Sequence, residues 1–188
     1  MVKKTERKED KKYERTVAKR VFAHELKSAV PVEKTGTDQY EPKYVLTELG
    51  EKVNRVFICG VITEREDIGK DENSFIRARI SDPTGVFIVC AGQYQPEVRD
   101  IMENVTIPGF VSIVGKVTTY SPPESASVFV NIRPEHINVV DEETRDRWVK
   151  ETADLTIERI NTSKASPEVK KTYETVVQTA LESVGTAS

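Results

Sequence analysis

The sequence predicts a mostly β protein whose centre is a small closed barrel and whose two ends are helical. Three observations lead to this fold class. Residues 53–140 contain several short runs of alternating or continuous apolar residues separated by turn residues, which is typical of β-strands. One short helical segment follows the third of these runs. Helical spacing of apolar residues occurs before residue 31 and returns after residue 141.

The first three barrel strands follow from alternation and turn residues. Residues 53–64 form a long first strand, in which Gly60 indicates a bend or bulge. Residues 74–81 alternate cleanly and form the second strand. The D-P-T-G segment at 82–85 has the residues of a turn, so residues 86–91 are expected to pair back as a hairpin.

The remaining elements complete a recognisable order. They are a short helix at 93–104, a strand at 110–120 with Gly115 at its centre, and a last strand at 128–133 and 137–140, interrupted near Pro134. Strand, strand, strand, helix, strand and strand is the order of the OB-fold, a five-stranded Greek-key barrel. The predicted fold class is therefore an OB-fold barrel with flanking N-terminal and C-terminal helices.

The flanking segments divide the chain into three predicted parts. Residues 1–43 contain a basic arm, a short amphipathic helix with apolar residues between 17 and 29, and a linker. Residues 44–140 form the OB-fold domain, with an added edge strand at 44–49. Residues 141–188 contain two helices for subunit assembly, with Asp141 and Ser166 as N-caps.

Charge is distributed unevenly along the chain. The formal net charge is −3, so the strongly basic signature of many nucleic-acid binders is missing and any phosphate-binding surface must be local. The first 20 residues nevertheless hold nine Lys or Arg against four acids. This segment is either a solubilising tail or an arm that touches phosphates.

Several function classes find no support in the sequence. The chain has no P-loop, no G-x-G-x-x-G and no G-x-S-x-G motif, and its two histidines, His24 and His136, lack metal-ligand spacing. Cys59 and Cys90 lie in apolar runs and are expected to be buried free thiols. No apolar run approaches a membrane span and no secretory signal is visible. We therefore expect an intracellular protein that is not an enzyme and needs no cofactor or metal.

Single-stranded nucleic acid is bound by stacking bases on aromatic side chains within a positive groove. Phe75, Arg77 and Arg79 share one side of the second strand, and Lys116 and Tyr120 share one side of the fourth. These five residues are candidate nucleic-acid contacts. The alternatives are a solvated strand face for the arginines and simple packing for the two aromatic residues.

At this point the sequence resembles a known family. Four features are similar to the middle subunit of replication protein A. They are V-F-I-C-G-V-I at 56–62, the D-P-T-G turn, V-S-I-V-G-K-V at 111–117 and the helix after the barrel. With V-A-K-R-V-F-A at 17–23 and the segment 44–50, the whole chain resembles the archaeal replication protein A-associated proteins.

The resemblance implies a subunit of a single-stranded-DNA-binding complex in DNA replication and repair, located in the cytoplasm with the nucleoid. The implied partners are single-stranded DNA and a larger replication protein A subunit in a hetero-oligomer. In the family one aromatic residue after the third strand and one at the end of the fourth stack bases, which implies roles for Tyr94 and Tyr120. RNA remains an alternative ligand.

The family also implies that the helix at 142–160 joins a bundle with helices of other subunits, whereas a helix capping its own barrel is the alternative. The candidate partner-binding residues are Trp148, Thr152, Leu155, Tyr173 and Val177. A competing functional hypothesis is an adaptor whose barrel holds a larger subunit and contacts DNA little or not at all. The acidic balance and the scarcity of aromatic residues favour the adaptor.

Overall fold

The computed structural model describes residues 15–34, 36 and 41–185. In chain order its elements are helix α1 (Ala23–Lys27), strands β1 (Val30–Pro31), β2 (Val45–Leu46), β3 (Lys52–Val53), β4 (Arg55–Ile68), β5 (Phe75–Asp82) and β6 (Gly85–Gly92), helix α2 (Pro96–Asn104), strands β7 (Gly109–Tyr120) and β8 (Phe129–Val139), and helices α3 (Glu142–Thr162) and α4 (Pro167–Glu182). A 3-10 turn at Asp71–Asn73 joins β4 to β5.

Strands β4 to β8 form a closed barrel in the order β4-β5-β6-β8-β7. All neighbouring pairs are antiparallel except β6 and β8, which meet in parallel at Val89 and Ile132. Helix α2 connects the third and fourth barrel strands, where the OB-fold has its helix. The predicted fold class is confirmed.

Two central glycines allow neighbouring strands to approach closely. A Cβ at Gly60 would collide with the carbonyl oxygen of Ser81 on β5, and a Cβ at Gly115 would collide with that of Arg133 on β8. The β4–β5 register shifts between Ile62 and Glu64, and the β7–β8 register shifts beside Gly115. Both glycines therefore lie near bulges, where a barrel strand bends. The last strand is continuous through Pro134, since the bulge absorbs the predicted interruption.

The predicted helix at 17–29 is wrong for most of its length, because only Ala23–Lys27 is helical. Lys19 instead bonds to the start of β4, donating its N–H to the carbonyl of Arg55 and accepting from the N–H of Phe57, both at 2.9 Å. The residues around Lys19 therefore pair with the free edge at the start of β4. This pairing with a distant strand overrides the helical spacing of the local sequence. Val17, counted in the predicted apolar face, is exposed.

Helix α1 docks on the barrel through the D-P-T-G turn. The Asp82 carboxylate accepts the N–H of Ala23 at 2.7 Å, and the Thr84 hydroxyl accepts that of His24 at 3.1 Å. These side chains satisfy N–H groups that a helix start leaves without partners. Burial raises the pKa of Asp82, although four hydrogen bonds to its carboxylate oppose that shift.

The segment 44–49, predicted as an edge strand, contributes the two-residue strand β2. Strands β1, β2 and β3 form a small antiparallel sheet in that order. A buried side chain anchors this sheet, since Val45 is almost fully covered.

The two C-terminal helices start where the sequence predicts. The Asp141 carboxylate accepts the N–H of Thr144 at 2.8 Å, and the Ser166 hydroxyl accepts that of Val169 at 3.3 Å. The N–H of Gly185, beyond the end of α4, reaches the carboxylate of Asp146 near the start of α3. The helices therefore form an antiparallel hairpin.

The face of this hairpin that was predicted to meet a partner is largely occupied by the chain itself. Trp148 donates its indole N–H to the carbonyl of Phe57 on β4 at 2.9 Å and packs edge-to-face on Phe22. Thr152, Tyr173 and Val177 are also buried among the described residues, and only Leu155 remains accessible. The chain's own core therefore contains four of the five candidate residues, which agrees with the alternative that this helix caps its own barrel. Their role in partner binding stays a prediction.

A buried ion pair joins α1 to α3. The guanidinium of Arg159 donates to the carboxylate of Glu25 at 2.8 Å, and the Thr47 hydroxyl donates to the other carboxylate oxygen at 3.2 Å. Glu25 is fully covered, and this burial raises its pKa despite the opposing charge of Arg159. The N-terminal segment, the barrel and the helical hairpin consequently share one core.

Candidate nucleic-acid interface

Strand β5 presents its charged side chains outward. Ile76, Ala78 and Ile80 are buried, while Arg77 and Arg79 between them are exposed, as the alternation predicted. The side chains turn this way because successive residues of a strand face opposite sides and the barrel interior accepts the apolar set.

Strands β7 and β8 carry three matched pairs on their outer face. Tyr120 lies opposite Phe129, Thr118 opposite Asn131, and Lys116 opposite Arg133. The intervening residues Val117 and Ile132 point into the core. We call these pairs the aromatic, polar and cationic rungs of the β7–β8 face.

The aromatic rung borders a cleft of about 680 Å³ on the barrel surface. The cleft is lined by the end of β4, the outer face of β5 and β6, and the ends of β7 and β8, through Glu64, Arg65, Glu66, Arg77, Arg79, Ile88, Tyr120, Phe129 and Asn131. The side chains of Tyr120 and Phe129 are 55% and 51% exposed. This is the surface between the first and last barrel loops on which OB-folds bind oligonucleotides.

Both arginines of the cleft already have acidic neighbours. Arg77 donates to Glu66 at 2.7 Å, and the guanidinium of Arg79 lies 3.7 Å from Glu64. All four side chains are about half exposed or more, and such pairs contribute only about 0–1 kcal/mol. A phosphate group can therefore compete for either arginine at small cost.

Arg65 has a structural role in the same cleft. Its guanidinium donates to the carbonyl oxygens of Met102 at 3.2 Å and Val105 at 2.6 Å. These carbonyls lie at the carboxyl end of α2, where cations are favoured and orphan acceptors need donors. Arg65 thus holds α2 against the barrel.

Of the six predicted nucleic-acid contacts, three line the first cleft, namely Arg77, Arg79 and Tyr120. Lys116 instead lines a second cleft of about 410 Å³, together with Arg15, Arg55 and Arg133. Phe75 is half-buried opposite Gly92 and does not border the first cleft.

Tyr94 also lies outside the first cleft, in the turn between β6 and α2. Its side chain is 90% exposed, so it does not pack on that helix. A base-stacking role for Tyr94 has no supporting neighbour in the cleft.

Phe129, Asn131 and Ile88 are cleft residues that the sequence reasoning missed. The signal for two of them was available, since F-V-N-I-R at 129–133 alternates in the same way as β5. The pairing of Phe129 with Tyr120 was not available, because it depends on the length and path of the loop at 121–128 and on the bulge near Pro134.

The two cysteines are free thiols that differ in burial. Cys59 is a buried free thiol as predicted, and burial raises its pKa to about 11, whereas Cys90 is only half-buried. Across residues 15–34, 36 and 41–185, no group of three His, Cys, Asp or Glu side chains could hold a metal ion. No helix in the same part of the chain has the length and apolar character needed to cross a membrane.

A known structure shares this architecture. The chain superposes on a structure of the Stn1–Ten1 complex from S. pombe with a TM-score of 0.58, covering 85% of this chain and 98% of that chain at 10% identity. At this identity the likeness is one of fold, and it agrees with the OB-fold assignment.

Two further matches are a mitochondrial single-stranded DNA binding protein, Rim1, from S. cerevisiae and a second single-stranded DNA binding protein, SSBb, from Mycobacterium smegmatis. Both have a TM-score of 0.39. The Rim1 match covers 47% of this chain and 97% of that chain at 16% identity, and the SSBb match covers 46% and 86% at 14% identity. Scores of this size carry no conclusion about function. No protein-family model matches the chain, and no curated protein sequence matches it.

Proposed function

We propose that this protein is a binding subunit of a replication protein A-like complex that holds single-stranded DNA during replication and repair, without catalysis. The observation that carries the proposal is the exposed aromatic rung, Tyr120 and Phe129, beside Arg77 and Arg79 in one cleft. Aromatic faces stack bases and the guanidinium groups meet phosphates, which is how single strands are held without sequence preference.

The place of the cleft supports the same function. It lies where the OB-fold brings its second and third strands and its loops together, which is the usual ligand surface of this fold. The resemblance of the sequence to archaeal replication protein A-associated proteins supports membership of a hetero-oligomer with a larger subunit. The S. pombe structure that shares the fold is itself a complex.

One observation favours the adaptor as a second candidate function. Ile157 and Leu181 are each 42% exposed and line a groove of about 500 Å³ between α3 and α4. Together with the acids beside Arg77 and Arg79, this groove fits a barrel that is held by another subunit and contacts DNA little. The two functions differ in whether the isolated chain binds DNA.

A titration of the isolated chain with fluorescent oligo-dT at two salt concentrations tests the proposal. We expect saturable binding that weakens as salt rises, because each phosphate neutralised by Lys or Arg adds about 0.7 to the slope of log affinity against log salt. Binding that is absent at low salt would favour the adaptor. Oligo-U in place of oligo-dT tests the RNA alternative directly.

A further inference from the structure

The second cleft contains three cations in neighbouring strands at matched positions. Arg55 on β4 lies opposite Lys116 on β7, and Lys116 lies opposite Arg133 on β8. Like charges directly opposite one another destabilise a sheet. This row is therefore not explained by the stability of the barrel, and a ligand-binding role would account for it.

Only part of this charge is neutralised within the described part of the chain. Glu135 accepts from Arg55 at 2.5 Å and lies 3.6 Å from Arg15. Partial burial raises the pKa of Glu135, but the hydrogen bond and charge of Arg55 with the charges of Arg15 and Lys116 outweigh it and hold that pKa below its usual value. Among the described residues, Lys116 and Arg133 form no ion pair within 4 Å.

The second cleft continues the first along the β7–β8 face. Asn131 lines the first cleft, Thr118 lines the second, and these two residues form the polar rung. The aromatic and cationic rungs are four residues apart on each strand, or about 13 Å at the usual rise of a strand. A single extended ligand can therefore contact both rungs.

We propose that Lys116 and Arg133, with Arg55 and Arg15 beside them, form a second phosphate-binding site for the same nucleic-acid strand. The bases of the nucleic acid stack on Tyr120 and Phe129, its backbone crosses the polar rung, and its phosphates reach the cationic rung. This site rests on the proposed function and extends it. The bound nucleic acid would run along β7 and β8 rather than across the first cleft alone. A phosphodiester backbone fits, since it presents regularly spaced single charges and needs no matching side-chain pockets.

The test is a double variant, Lys116→Gln with Arg133→Gln, compared with a control that removes two exposed positive charges from the helices, Lys150→Gln with Lys171→Gln. Oligo-dT affinities are measured over a salt series. We expect the double variant to lower the salt slope by about 1.4, since two phosphate contacts are lost at about 0.7 each. The control should leave the slope near the wild-type value.

Folding of the double variant is checked by thermal unfolding at low salt. The unfolding midpoint should stay near the wild-type value, because relief of the repulsion between two facing charges offsets the lost attraction of Lys116 for Glu135. A wild-type slope in the folded double variant, while the aromatic rung still contributes to affinity, would overturn the second site and leave the proposed function standing. Absence of DNA binding by the wild type would overturn both.

A competition experiment separates a nucleic-acid backbone from an acidic protein segment. Poly-glutamate with the same number of charges as the oligo-dT should compete weakly against it. Displacement by poly-glutamate that is as strong as displacement by unlabelled oligo-dT, and that is lost in the double variant, would contradict the proposal and assign the cationic rung to an acidic peptide.

Discussion

Single polar side chains connect the N-terminal segment to the rest of this protein. Asp82 both orders its own turn, by accepting the N–H groups of Thr84 and Gly85, and accepts the first N–H of α1. Glu25 and Arg159 make the corresponding connection between α1 and α3. Each link withdraws a carboxylate from solvent, partly for Asp82 and completely for Glu25, and this is favourable only while its partners are present.

Replacing Arg159 with Met tests the buried pair. We expect a loss of about 3–5 kcal/mol of unfolding free energy at pH 7, because the Glu25 carboxylate is left buried without its counter-charge. The loss should be smaller at pH 5. Without Arg159 the pKa of Glu25, which burial already raises, rises further, so the folded variant takes up a proton more readily than the unfolded chain. Its stability therefore falls as pH rises from the unfolded value near 4.5 through the raised pKa.

Urea unfolding at the two pH values measures this difference. Arg147→Met is the matched control, since Arg147 is an exposed arginine of the same helix whose ion-pair partner, Glu143, is exposed as well. It should change stability by no more than about 0.5 kcal/mol. If Arg159→Met lowered the unfolding free energy equally at pH 5 and pH 7, the charge of Glu25 would not be the cause of that loss.

At the scale of elements, the helical hairpin of α3 and α4 is part of the barrel's core rather than an appendage. Trp148, Val149 and Ala153 of α3 are buried, and the indole of Trp148 is bonded to β4. The exposed large apolar side chains of the hairpin are Leu155, Ile157 and Leu181, and the last two line the groove between the helices. This groove is much smaller than the apolar helix faces that the sequence pattern indicates.

Removing residues 141–188 should therefore destabilise the barrel. Truncating one buried Trp usually costs about 3–5 kcal/mol, so we expect the shortened chain to lose at least about 3 kcal/mol or to be unfolded. The measurement is urea unfolding followed by far-UV circular dichroism. A control chain ending at residue 185 keeps both helices and the Gly185–Asp146 hydrogen bond, and it should unfold near the wild-type midpoint. A shortened barrel with an unchanged midpoint would mean that α3 contributes little to the core.

The sequence predicted those elements whose determinants are local. The alternation of β5, the turn at 82–85 and the caps Asp141 and Ser166 depend on neighbouring residues, and all are present in the structure. The predicted helix over residues 17–22 failed because Lys19 pairs with a strand more than 30 residues away. Whether Trp148 covers its own barrel or meets a partner was left open for the same reason, since its hydrogen-bond acceptor is the distant carbonyl of Phe57.

In the candidate site too, the sequence predicted what neighbouring residues determine and left out what distant pairing determines. Arg77, Arg79 and Tyr120 were found from strand parity, which is a local property. The pairing of Phe129 with Tyr120 depends on barrel register, and so does the row formed by Lys116 and Arg133. The division into parts at residues 43 and 140 remains a prediction.

At the scale of the whole molecule, the flanking elements cover one part of the barrel and leave another open. Helix α3 covers the start of β4 through Trp148, and α1 sits on the β5–β6 turn at Asp82. The far end of β4 and the aromatic rung remain accessible, and the cleft lies between them. Under the proposed function, this open surface holds single-stranded nucleic acid by stacking bases on Tyr120 and Phe129.

The affinity of the double variant Tyr120→Ala with Phe129→Ala for oligo-dT, at one fixed salt concentration, tests that claim most directly. Each stacked base contributes about 1–3 kcal/mol, so losing both platforms should weaken binding roughly 30-fold or more. Tyr94→Ala is the matched control, because it removes an exposed aromatic residue outside the cleft and should leave affinity near the wild-type value. A correctly folded double variant with wild-type affinity, or a Tyr94→Ala variant that loses as much, would contradict the claim.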